Sequence, residues 1–89
     1  MAQFIKSNGA EVELVPENGK QFTLKELQDL VDGFIEIVPA KDGRLIIINE
    51  EGKLRDLPMN QKASLLYKHA GSDVIVGDVL VCDKSEIRN

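Results

Sequence analysis

The sequence predicts an α+β fold: a mostly antiparallel sheet of about five to six strands with two short helices, in the order ββαββαβ(β). Three observations carry that expectation. Short β-rich segments come in pairs joined by turn residues, at residues 3–6 with 11–15 and at residues 34–38 with 45–49. Two stretches carry apolar residues at three- and four-residue spacing, each behind a helix-capping residue, Thr23 or Asn60. Finally, strands and helices do not alternate one for one, as a wholly parallel sheet would require.

In the first pair, Gln3-Phe4-Ile5-Lys6 and the alternating Glu11-Val12-Glu13-Leu14-Val15 flank the turn cluster Ser7-Asn8-Gly9-Ala10, which is the pattern of a β-hairpin. Pro16 ends the second strand because it has no N–H for a ladder, and Asn18-Gly19 favours a tight turn. Thr23-Leu24-Lys25-Glu26 then matches a capping box, in which the Thr hydroxyl and the Glu carboxylate satisfy amides that a helix start leaves orphaned. Leu24, Leu27, Leu30 and Val31 share one face of the helix that follows, and Gly33 at positive φ is its expected end.

Phe34-Ile35-Glu36-Ile37-Val38 and Leu45-Ile46-Ile47-Ile48-Asn49 form the second hairpin. Four successive aliphatics leave the second of these strands no polar face. It is expected inside the sheet, with both helices covering one side and the other side partly shielded. Asn49-Glu50-Glu51-Gly52-Lys53 reads as a turn with Gly52 left-handed, and Asn60 as the cap of a second helix with Ala63, Leu66, Tyr67 and Ala70 on its apolar face and Gly71 at its end. Residues 74–82 are β-rich, with Gly77-Asp78 as a turn or bulge. The polar residues 84–89 are expected to fray.

At 89 residues the chain has room for one core, so residues 1–89 read as a single domain. The apolar share of 43% and charged share of 29% exclude disorder. No apolar run approaches the ~18 residues of a membrane span, and no basic leader precedes an apolar stretch, so neither a span nor a secretory signal is expected. Cys82 is the one cysteine and can make no internal disulfide, which points to a reducing, cytoplasmic setting. Net charge is −4 with no basic stripe, which disfavours nucleic acid as a partner.

Candidate chemistry concentrates at Asn49, Glu50 and Glu51, where carboxylates at a strand end can bind a divalent cation or act as acid and base. The plainer reading is a hydrated turn in which Asn49 bonds its own backbone, because neighbouring strand residues point to opposite faces. Glu36, if buried, would be a general acid with a raised pKa; alternation makes it a surface residue instead. His69 falls near the end of the second helix, where its cationic form suits the helix dipole, and nothing ties it to Cys82 as a base to a nucleophile. Tyr67, Phe4, Phe22 and Phe34 read as core, and no phosphate loop or zinc-ligand spacing is present.

The segment from Gly33 to Asp83 resembles the family known as domain of unknown function 3846, met in bacteria and in phages and other mobile elements. The likeness is carried by Gly33-Phe34-Ile35-Glu36-Ile37-Val38, Asn49-Glu50-Glu51-Gly52-Lys53-Leu54, Leu57-Pro58-Met59-Asn60 with Ala63, and Ile75-Val76-Gly77-Asp78-Val79-Leu80. The resemblance implies no activity, cofactor or catalytic residue.

The expected function is therefore a non-catalytic module that binds a protein or small molecule, without a cofactor, as a monomer or weak homodimer. Its expected surface is the rim formed by Asn49, Glu50, Glu51, Gly52 and Lys53 with Met59 and Asn60, since loops on a rigid sheet commonly carry recognition. Two alternatives are a nucleotide or nucleic-acid binding protein and a small hydrolase using Glu50 or Glu36 with a metal.

Overall fold

Val79-Leu80-Val81-Cys82 carries no charged or amide side chain on either face, a composition that suits a strand covered on both sides. In the structure, a computed structural model that describes residues 2–87, this segment is the middle of the sheet. The chain runs through β1 (Ala2–Ile5), β2 (Glu11–Leu14), α1 (Leu24–Val31), β3 (Ile35–Pro39), β4 (Leu45–Asn49), α2 (Gln61–Leu66) and β5 (Val79–Cys82), and then a 3-10 turn at Lys84–Glu86. The sheet order is β2-β1-β5-β4-β3, and every neighbouring pair is antiparallel. This is the predicted α+β fold, with five strands among the described residues.

Both hairpins form where their turn residues place them. Ala2 lies opposite Leu14 in the first, with Gly9 at φ 96° in the turn, and Ile35 lies opposite Asn49 in the second. The last strand joins them, since Leu80 faces Phe4 of β1 on one side and Ile47 of β4 on the other. The aliphatic run of β4 is thus paired along both edges, as its composition requires.

Alternation divides the sheet into two apolar faces. Ala2, Ile47, Leu80 and Cys82 pack against Leu27 and Val31 of α1 together with Phe22 and Ile87. Ile5, Ile46, Val79 and Val81 face the other way and pack against Ala63 of α2 together with Val38 and Ile75. The two helices therefore lie on opposite faces, not on the same one as expected from the element order. The cause lies in β4 and β5, whose successive aliphatics point alternately to both sides. Each is worth about 1.5–3 kcal/mol when removed from water, so an open face would forfeit several such terms. Because β2 and β3 are the two edges, α1 also has to carry the chain across the sheet.

Helix α1 begins with the predicted capping box: Thr23 Oγ1 accepts from Glu26 N at 3.2 Å, and Glu26 Oε1 accepts from Thr23 N at 2.9 Å. It ends one residue earlier than expected, at Asp32 in the left-handed conformation (φ 60°, ψ 49°), and Gly33 follows with the positive φ expected of it, 157°. Leu24, in its first turn, stays exposed.

Helix α2 is also shorter than its apolar spacing suggests. It stops at Leu66, because Tyr67 turns extended and pairs with Ala40, while Lys41 N donates to the Leu66 carbonyl and Lys68 N to the Pro39 carbonyl. Gly71 and His69 consequently lie beyond the helix, and His69 does not sit in its last turn. Part of the tail expected to fray is held in place: Ile87 is buried beneath α1, and Phe22 N donates to Glu86 O at 2.7 Å. Residues 88 and 89 of that tail, like Met1, lie outside the described residues.

Candidate functional site

An asparagine at the end of an apolar strand has to find partners for its amide as well as its backbone, and Asn49 finds them in α1. Its Nδ2 donates to Val31 O at 2.9 Å and Asp32 O at 3.2 Å, while its Oδ1 accepts from Glu51 N at 2.8 Å. Only 4% of it is exposed, and its side chain closes a helix at the edge of the groove that Glu50 and Lys53 also line. Asn60 is buried in the same way: Oδ1 accepts from Ala63 N as the predicted cap, and Nδ2 donates to Ile5 O and Gly77 O, both at 2.9 Å. Gly52 is buried without being left-handed, and a Cβ there would stand 2.9 Å from Val76 Cγ2. The left-handed residue of this loop is Asp56, at φ 57°.

Three residues of the expected rim, Asn49, Gly52 and Asn60, are thus buried, and Glu50, Glu51, Lys53 and Met59 are exposed. The two adjacent glutamates diverge. Glu50 and Lys53 line a groove with Glu36, Tyr67 and residues 73–76, whereas Glu51 lies beside Gln28, Asp29 and Phe34 at the end of α1. Met59 does not line the groove itself but bridges to Val76, which does. Tyr67 and Asp73 were not visible as site residues in the sequence, because the first reads as core and the second lies 20 positions from its partner Lys53.

Val38, Ile48 and Ile75 form an apolar floor to this groove, on the α2 side of the sheet, and Glu36, Glu50 and Asp73 bring carboxylates to its rim. The Lys53 ammonium is ion-paired with Asp73, and that bond, aided by the Val74 N–H, holds the Asp73 carboxyl below its ordinary range. Glu36 and Glu50 leave the rim with an excess of negative charge. The cavity measures about 130 Å³, well under the ~300–1,000 Å³ of small-molecule pockets.

The groove adjoins an open strand edge. β3 pairs with β4 alone, so its other side has no strand partner among the described residues. Which groups point outward follows from the hydrogen bonds at either end of the strand: Phe34 O accepts from Glu50 N and Ala40 N donates to Arg44 O, both toward β4, while Pro39 O accepts from Lys68 N on the outer side. By alternation, the N–H and C=O groups of Ile35 and Ile37 point outward. Phe34 and Ile37 are also exposed, at 64% and 46%.

Nucleophilic chemistry finds no footing at Cys82. Its side chain is fully buried on the α1 side, and burial, reinforced by the Glu86 and Asp83 carboxylates, pushes the thiol up to about 11. His69 meets Tyr67 edge-on, with ring centroids 5.4 Å apart, and Tyr67 packs on the α2 side. The sheet stands between the two residues. Among the described residues, no group of three or more His, Cys, Asp and Glu side chains is placed to hold a metal ion, and no helix is long and apolar enough to cross a membrane.

A search of curated proteins finds no match to this chain, and a search of solved structures finds none either. The model of the family described as Domain of unknown function (DUF3846) matches residues 5–88, a wider span than the 33–83 segment whose motifs carry the resemblance, and the chain belongs to that family.

Proposed function

We propose that the protein is a non-catalytic binding module that takes a protein partner along the open edge of β3, beside the groove lined by Glu36, Glu50 and Tyr67. The observation that carries this reading is the edge itself. Ile35 and Ile37 turn outward backbone groups that have no strand partner among the described residues, on a rigid sheet with exposed apolar side chains alongside, and such edges accept a further strand. The small volume of the groove favours a protein segment over a free small molecule. A buried, protonated thiol suits a reducing cytoplasm, and a phage or mobile-element setting, implied by the family resemblance, belongs to the same proposal.

Selection of short random peptides displayed on phage, carried out in parallel on the wild type, Ile37→Pro and Ile37→Lys, tests the reading. Pro removes the outward donor without touching the β4 ladder, and Lys discourages strand addition. Peptides enriched on the wild type should lose binding to both variants, with amide spectra showing that each variant remains folded. Equal capture by all three proteins would refute an edge-based function.

A further inference from the structure

We infer that the segment added to β3 is cationic at one position, with a lysine or arginine directly across from Glu36 and apolar residues on either side of it. The inference rests on the open-edge reading above and names the partner's chemistry.

Its geometry follows from the pleat. In antiparallel addition, the partner residues opposite Ile35 and Ile37 exchange both backbone hydrogen bonds with them, and the residue between lies opposite Glu36. That middle position is a non-hydrogen-bonded pair, in which side chains stand closest, and its side chain points to the same sheet face as Glu36. On that face lie Glu50 and the groove, where Lys53 is already committed to Asp73. A basic side chain there meets Glu36 across the strands and Glu50 at the groove mouth. The two flanking residues fall on the other face, beside half-buried Ile35 and exposed Ile37, where β-branched apolar side chains fit. The segment is short, because Lys68 N already bonds Pro39 O and closes the edge beyond Val38, leaving room for about four residues.

Charge also decides against two other occupants. A second copy of this chain added through its own β3 about a two-fold axis would bring both Glu36–Glu50 pairs to one continuous face, between molecules that each carry a net charge of −4. Nucleic acid would meet the same carboxylates.

The test uses capped pentapeptides, Ser-Val-Lys-Val-Thr and Ser-Val-Glu-Val-Thr, titrated to millimolar concentration into the ¹⁵N-labelled full chain while amide shifts are followed. The lysine peptide should move the Ile35 and Ile37 amides and bind roughly fivefold tighter than the glutamate peptide. The double variant Glu36→Gln, Glu50→Gln, altered only at exposed positions, should bring that ratio close to one. Equal binding of the two peptides to the wild type would overturn the charge selection and leave the open edge standing. No response at Ile35 and Ile37 from either peptide would overturn both. Shifts at these amides that grow with protein concentration alone would identify a second copy as the occupant and overturn the inference.

Discussion

The side-chain amide of Asn49, the last residue of β4, donates to the carbonyl of Val31, the last residue of α1, at 2.9 Å. A helix C-terminus leaves its final carbonyls without partners, and here the strand end supplies the donors, with Arg55 Nη1 adding a further bond to Asp32 O at 2.6 Å. Asn49→Ala strips two donors and the acceptor for Glu51 N from a buried position. It should lower stability by about 2–3 kcal/mol in urea unfolding, whereas an exposed neighbour such as Glu50→Ala should cost under about 0.5 kcal/mol. Equal effects of the two substitutions would deny Asn49 this role.

Asn60 makes the corresponding tie on the other face. Its Oδ1 caps α2 while its Nδ2 draws together the carbonyls of Ile5 and Gly77, which belong to the end of β1 and the approach to β5. Asp at this position keeps the capping oxygen but sets a carboxylate against two carbonyls. Asn60→Asp should therefore be at least as destabilising as Asn60→Ala, by about 2–4 kcal/mol near neutral pH, although Asp is an equally good cap on exposed helices. Thermal melts of both variants check it. An Asp variant as stable as the wild type would mean that the cap alone matters.

What was legible in the sequence is what depends on near neighbours. The capping box joins Thr23 and Glu26 three positions apart, and the hairpin of β3 and β4 is closed by its own turn, so both are found where the pattern puts them. The cap role of Asn60 was readable for the same reason. The closure of α1 by Asn49 was not, since Val31 lies 18 positions away and the local pattern showed only a turn. The helices' placement on opposite faces was present in the run from Leu45 to Ile48, where the absence of a polar face signals cover on both sides. The apolar stripe of a short helix says that it packs, not on which side. Helix α2 ends early because Tyr67 is drawn to Ala40, 27 positions before it, a pairing that no window of local spacing contains. For the candidate site, the exposed Glu50 and Lys53 were found by composition, but Tyr67 and Asp73 reach the groove only through the fold.

Gly52 and Gly77 both exclude a side chain, for different reasons that a double-mutant cycle separates. A Cβ at Gly52 would lie 2.9 Å from Val76 Cγ2, the end of a stiff β-branched side chain, and 3.3 Å from the Asn49 carbonyl. A Cβ at Gly77 would lie 2.9 Å from Leu57 Cδ1, which can swing aside, but φ there is +79°. Gly52→Ala should cost about 1–3 kcal/mol, with a favourable coupling near 1 kcal/mol when combined with Val76→Ala. Gly77→Ala should cost about 1–2 kcal/mol from backbone strain, with little relief from Leu57→Ala. If Leu57→Ala rescued Gly77→Ala fully, sterics rather than φ would be the constraint.

Cys82 makes the fold's stability depend on pH in the alkaline range. Its thiol is held at about 11, above its ordinary value of 9.0, chiefly because burial penalises the thiolate. Between those two values the unfolded chain gives up a proton that the folded chain keeps, so the unfolded state binds fewer protons and stability falls as pH rises. The contribution is whole below about pH 9 and is lost as pH climbs through about 11, with a ceiling of about 2–3 kcal/mol for a shift of that size. Cys82→Ala lacks it, while every other alkaline titration is common to both proteins. The stability difference between wild type and Cys82→Ala should therefore shrink from about pH 8 to about pH 11, and a thiol reagent at about pH 8 should label the native protein only as fast as it unfolds. Rapid labelling in the folded state, or a difference that stays flat with pH, would show that the thiol is open to solvent and would return it to consideration as a reactive group.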